Sequence, residues 1–138
     1  MAGSGHAPLI WLIAGEPSGD LIGARLIAAL KQKTGGRLRI AGIGGEAMQE
    51  EALDSLFPIS DIAVMGLIEI IPRIPQIKRR MRETIAAIKR DRPVIVVSID
   101  VPGFCFDVWK GLRSTDIPLV HYVAPTVWAW RPDRAKKF

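Results

Sequence analysis

The sequence predicts an α/β domain: a mostly parallel sheet with helices on both faces. Three observations predict it. Short, wholly apolar runs alternate with longer amphipathic segments. Each of the main apolar runs ends in a polar or glycine-rich turn. No internal repeat, low-complexity tract or interdomain linker interrupts the alternation. Strands alternating with helices imply right-handed crossovers.

Leu9–Ala14 is apolar throughout, as a strand covered on both faces requires. Gly15-Glu16-Pro17-Ser18-Gly19-Asp20 breaks it, and a helix follows from Leu21 to about Gly35-Gly36. Leu38–Ile43 reads as the second strand, closed by Gly44-Gly45. A short helix from Glu46 to about Leu53 leads to an extended piece at Leu56–Ile59. Ile74, Ile77, Met81, Ile85 and Ile88 recur at helical spacing, with Pro72 and Pro75 suited to the first turn and Pro93 just past the end. Val94–Ile99 is the clearest buried strand. Cys105 to about Ser114 reads as helix, Pro118–Val123 as strand, and a last helix begins near Pro132. Arg134, Lys136, Lys137 and Phe138 read as an opening helical turn, so a truncated chain is expected.

Composition excludes several classes. Of 138 residues, 49% are hydrophobic and 24% charged, values ordinary for a folded soluble domain. The single cysteine, Cys105, rules out an intrachain disulfide framework and fits a reducing compartment. With only His6 and His121 there is no zinc-type cluster. Met1–Pro8 lacks the features of a signal peptide and reads as a flexible tail. The longest apolar stretch, Ile62–Ile71, is about half the ~20 residues a spanning helix needs.

The net charge is +5, yet eight basic residues face only two acidic ones between Arg73 and Arg92. Basicity is therefore one stripe, which points to an anionic partner at one face. Val64, Met65, Leu67, Ile68 and Ile71 precede it, and Arg79 and Arg80 lie within it. Apolar residues beside a cationic helix suit an anionic membrane surface. The alternative is a solvated face over an apolar one. No nucleic-acid motif accompanies the charge, so no nucleic acid is expected.

Ligands of a doubly wound sheet bind beyond the carboxyl ends of its strands. Polar or glycine-rich segments follow Ala14, Ile43, Ile99 and Val123, all on that edge. The first joins a strand to a helix amino terminus, which favours an anion or a polar sugar group. It is not a Walker loop. A plain turn capped by Ser18 or Asp20 is the alternative, though capping alone does not call for Glu16 as well. Gly42-Ile43-Gly44-Gly45-Glu46-Ala47 matches the dinucleotide pattern weakly and reads better as an ordinary turn. Asp100 ends an apolar strand and is walled by Val101-Pro102-Gly103-Phe104. Desolvation there would raise its pKa and suit a proton acceptor; a cap on the next helix is the equal alternative. His121 reads as a hydrogen-bonded core histidine. Trp128 and Arg131 lie in a proline-bounded loop able to line an acyl or sugar cleft, or to pack the domain edge. Cys105 has no base candidate beside it in sequence.

Four stretches together resemble lipid-A-disaccharide synthase, a bacterial glycosyltransferase family of the two-domain GT-B type. They are Ala14–Asp20, Ala63–Glu69, Ile99–Phe104 and His121–Arg131, in order over nearly the whole chain from Leu9. The resemblance implies that residues 9–138 form part of a Rossmann-like acceptor-side domain at the amino terminus, with the carboxyl-terminal UDP-sugar-binding domain absent.

It also implies transfer of 2,3-diacylglucosamine from UDP to the 6-hydroxyl of 2,3-diacylglucosamine 1-phosphate. The β-1,6 disaccharide precursor of lipid A forms with inversion and without metal or other cofactor. Asp100 matches the family's proposed base. Glu16, Ser18, Gly19 and Asp20, with Trp128 and Arg131, would contact substrate. The apolar and basic residues would meet the acyl chains and the inner-membrane surface from the cytoplasmic side, in an enzyme that could be a homodimer. The chain alone is expected to be inactive. Two positions depart from the pattern: Gly103, where many members carry an acid, and Cys105, where asparagine or threonine is common. The alternatives are a nucleotide- or cofactor-binding α/β domain and a non-catalytic membrane-surface module.

Overall fold

The computed structural model describes residues 7–63 and 71–122. Its centre is a four-stranded sheet in the order β2-β1-β3-β4, with every neighbouring pair parallel. The strands are β1 (Leu9–Ile13), β2 (Arg39–Ile43), β3 (Ile95–Ser98) and β4 (Leu119–His121). The helices are α1 (Pro17–Thr34), α2 (Glu46–Glu50), α3 (Ile74–Asp91) and α4 (Pro102–Gly111). The α/β architecture thus follows the expectation. Residues 1–6, Val64, Met65, Leu67, Ile68, Trp128, Arg131 and the helix expected near Pro132 lie outside the described residues.

Alternation along the strands builds two cores. Trp11, Ile13, Ile43 and Val96 face α3 and α4, meeting Ala87, Ile88, Phe104, Val108 and Leu112. Leu12, Ala14, Val97 and Ile99 face the other way, toward Ile27 of α1 and Met48 of α2. Both faces are buried, which explains why β1 and β3 are apolar at nearly every position. A fully buried side chain of this size contributes about 1.5–3 kcal/mol. Trp11, 1% exposed, also needs a partner for its indole N–H, and donates it to Asp91 at 3.1 Å.

Helix boundaries follow local chemistry. Gly35 takes the left-handed conformation (φ 62°) that ends α1. Arg92 does the same for α3 without being glycine (φ 48°), and Pro93 then prevents continuation. The isoleucine stripe of α3 packs as its spacing predicts at Ile77, Met81, Ile85 and Ile88, whereas Ile74 is 38% exposed. The extended piece expected at Leu56–Ile59 is a single parallel bridge between Gly42 and Ser55 followed by a 3-10 turn, Ile59–Asp61. The helix α4 begins at Pro102, three residues before the expected start. Among the described residues, no helix is long and apolar enough to cross a membrane.

Candidate active site

Strand β1 connects to β2 on one side and lies against β3 on the other. The carboxyl ends of β1 and β3 therefore flank the point where the winding reverses, the place where such sheets open a crevice for ligands. Two loops meet there: Ala14–Glu16 after β1, and Ile99–Val101 after β3.

Asp100 joins them. Its Oδ1 accepts the amide proton of Gly15 at 2.6 Å and its Oδ2 that of Glu16 at 3.0 Å. The carboxylate thus reaches across to the first loop, and the expected alternative of a cap on α4 is not realised: the residue preceding that helix is Val101, with no side-chain cap. Each carboxylate oxygen retains a lone pair for a further donor. Burial pushes the Asp100 carboxyl up to about 6. The Gly15 amide opposes the rise, the Glu16 charge adds to it, and the Glu16 amide opposes it. Asp100 is thus ionised at neutral pH but far more basic than a solvated aspartate, which is what general-base chemistry needs.

The first loop is shaped to receive it. Glu16 is extended (φ −134°, ψ 155°), Pro17 starts α1, and neither Ser18 nor Asp20 caps the helix. Gly19 is buried, and a Cβ placed there would lie 1.9 Å from Oδ2 of Asp100. Glu16 and Ser18 remain exposed at the mouth of the site, beside the helix amino terminus.

Asp20 has a different task from the substrate contact expected of it. It is 6% exposed, and its two oxygens accept the backbone N–H groups of Gly45 (2.8 Å), Ala47 (2.9 Å) and Met48 (3.0 Å). Asp20 therefore caps α2 from a distance and fixes the glycine turn after β2. That turn is a plain strand-to-helix connection, as its weak dinucleotide match suggested.

The second loop is held under strain. Val101 adopts the left-handed conformation (φ 44°, ψ 61°), which β-branched residues almost never occupy. Strain of this kind costs on the order of 1–3 kcal/mol and gathers at functional sites. The buried Cys105 thiol donates to the Asp100 carbonyl at 3.2 Å, and burial pushes its pKa well above the ordinary thiol range. It is inert as a nucleophile.

Beneath the site, the Ser98 hydroxyl of β3 and Nδ1 of His121 on β4 lie 2.7 Å apart, and the His121 and Trp109 rings make a T-shaped contact with their centres 6.3 Å apart. His121 is hydrogen-bonded as its strand position suggested, but it is half-buried on the edge strand and not a core residue. Among the described residues, no three His, Cys, Asp or Glu side chains converge as metal ligands.

Of the basic stripe, two residues are structural. Arg80, expected at the membrane contact, is instead turned inward with its side chain 19% exposed. It pairs with Asp61 and Glu83, both at 2.7 Å, and stacks 4.9 Å above the Phe57 ring. Arg73 donates to the carbonyls of Ala63 and Ser60. Both pin the Ile59–Asp61 turn to α3. Arg79 is only loosely held by Glu83, at 3.8 Å, and stays largely exposed, as does Ile71 at 64%. Sequence periodicity distinguishes apolar from charged faces, but it could not tell which arginines have acidic partners distant in the chain.

An aspartate seated at the switch point of a parallel sheet, beside a helix amino terminus, marks an α/β domain of the doubly wound class, whose ligands bind beyond the carboxyl ends of the strands. The sequence profile of the Lipid-A-disaccharide synthetase family matches residues 10–138. Curated lipid-A-disaccharide synthases are similar over nearly the whole chain. Identity is 53% over 131 residues for Rhodospirillum centenum, 53% over 130 for Paramagnetospirillum magneticum and 48% over 133 for Gluconobacter oxydans. These alignments cover 94%, 93% and 96% of this chain, and 33%, 33% and 32% of the respective relatives. The chain belongs to the lipid-A-disaccharide synthase family, a family of glycosyltransferases, and spans about a third of the length of the curated relatives it matches.

Proposed function

We propose that this chain is the acceptor-side portion of a lipid-A-disaccharide synthase. The whole enzyme transfers 2,3-diacylglucosamine from UDP to the 6-hydroxyl of 2,3-diacylglucosamine 1-phosphate and makes a β-1,6 disaccharide with inversion. The observation that carries this reading is the Asp100 carboxylate, partly desolvated between two loop amides at the switch point. In an inverting displacement the acceptor oxygen attacks the anomeric carbon as the bond to UDP breaks, and a base must take the acceptor proton. Asp100 is that base. Glu16, Ser18 and Gly19, at the head of α1, would help position polar sugar or phosphate groups, and Trp128 and Arg131 are proposed as further substrate-binding residues. The donor would be held by the part of the relatives' length that this chain does not span.

The acyl chains of both substrates call for a membrane-facing surface. Ile71 and Ile74 are exposed, and so are Lys78, Arg79 and Arg82 along the amino-terminal half of α3. This supports peripheral docking on the cytoplasmic leaflet of the inner membrane, with Val64, Met65, Leu67 and Ile68 as the adjoining apolar segment.

The test is product formation from the two purified substrates. The complete enzyme carrying these residues should form the disaccharide and release UDP, whereas the 138-residue chain alone should form none. Failure of the complete enzyme to use this acceptor would overturn the assignment.

A further inference from the structure

Resting on the reading of Asp100 as the base, we infer that Val101 is a positioning residue: its strained backbone and its isopropyl group together aim the Asp100 carboxylate at the first loop and shelter it from water.

Four observations converge on it. Val101 is the only β-branched residue with a positive φ among the described residues, and it directly follows Asp100. Its methyl groups lie against Gly15, the residue whose amide Asp100 engages: a Cβ at Gly15 would fall 2.8 Å from Cγ1 and 2.9 Å from Cγ2 of Val101. The Val101 carbonyl accepts the Cys105 amide at 3.0 Å, and the Asp100 carbonyl accepts the Cys105 thiol at 3.2 Å, so the loop is tied to α4 on both sides of the strained bond. Pro102 follows and fixes the next φ.

A strained conformation persists only where its surroundings over-determine it. Here they comprise the Gly15 contact, the two bonds to Cys105 and the Asp100 bonds to Gly15 and Glu16. With a glycine the left-handed conformation would cost nothing, but the loop would also become free to leave it. Valine serves as a wedge: once seated over Gly15 it has one position, and so does the carboxylate beside it.

The test pairs a titration with kinetics. The Asp100 carboxyl is followed by carbon NMR in the 138-residue chain for the native sequence, Val101→Gly and Val101→Thr; Glu16 is the one other charged group acting on that carboxyl. The native midpoint should lie near 6. In Val101→Gly it should drop by roughly one unit or more, toward an ordinary aspartate, with no loss of thermal stability. Val101→Thr, of the same shape, should hold the native value.

In the complete enzyme, Val101→Gly should lower kcat by about tenfold or more, leave KM for the donor within about twofold, and move the acidic limb of the pH profile down with the midpoint. An unchanged midpoint together with unchanged kcat in Val101→Gly would overturn the inference. If that variant fails to fold, Val101→Ala is read by the same criteria. Full activity in Asp100→Asn would instead defeat the base assignment, while the titration would still report whether Val101 positions the carboxylate.

Discussion

Gly19 has no side chain at the one place where Asp100 needs room: a Cβ there would lie 1.9 Å from the carboxylate oxygen Oδ2. The glycine in the first turn of α1 and the aspartate in the loop after β3 are thus two halves of one fitting, 81 positions apart in the chain. Gly19→Ala must push the Asp100 loop off the Gly15 and Glu16 amides. Overpacking of this kind costs about 1–3 kcal/mol. Activity should fall further than that stability loss alone explains, because the displaced group is the proposed base. A combined melting and turnover measurement checks this; a Gly19→Ala variant with native kcat would show that the close approach does not matter to the reaction.

Asp20 should be a stability residue. Removing its carboxylate in Asp20→Ala strands the N–H groups of Gly45, Ala47 and Met48, two of whose bonds are buried. The expected loss is about 3 kcal/mol. Asp20→Asn, which keeps one accepting oxygen, should lose less. Chemical denaturation distinguishes the two, and a variant as stable as the native chain would contradict the capping role.

The raised pKa of Asp100 fixes the sign of a pH effect on folding. The carboxyl titrates near 6 when folded and near 4 when unfolded, so the folded chain holds the proton more tightly. The stability this group contributes is fully present below pH ~4 and is lost as pH rises through about 6. Asp100→Asn removes the titration. Its stability relative to the native chain should therefore improve between pH 4 and pH 7, and a difference constant across that window would contradict the desolvated environment.

Membrane docking should depend on Lys78, Arg79 and Arg82, which are exposed, and not on Arg80, which is paired. Each surface cation near an anionic bilayer is worth about 1 kcal/mol. Neutralising all three to glutamine should weaken sedimentation with anionic vesicles by roughly a hundredfold, and raised salt should also weaken binding of the native chain. Arg80→Met should leave vesicle binding unchanged and lower the melting temperature, since Asp61 and Glu83 lose their partner.

Much of this was readable in the sequence because burial on both sheet faces leaves a plain mark. The apolar runs from Leu9 and from Val94 became β1 and β3, and the isoleucine spacing became the inner face of α3. Asp100 stood out because it ends such a run. What the sequence concealed were partnerships between distant residues. The first-loop acids looked equivalent, yet Glu16 faces solvent while Asp20 is spent on the amides of α2. Arg79 and Arg80 are neighbours in the same basic stripe, and only the position of Asp61 separates their roles. The reversed φ of Val101 had no signal at all, since valine is the residue least expected there.

The most direct test of the account is turnover by Asp100→Asn in the complete enzyme, with its fold verified by circular dichroism and melting. Asparagine keeps the shape and can still accept the Gly15 amide, but it cannot take a proton. The account predicts a loss of kcat of about a hundredfold or more with near-native substrate binding, and loss of the acidic limb expected near pH 6 in the native enzyme. A folded Asp100→Asn enzyme with near-native kcat and the same limb would contradict it.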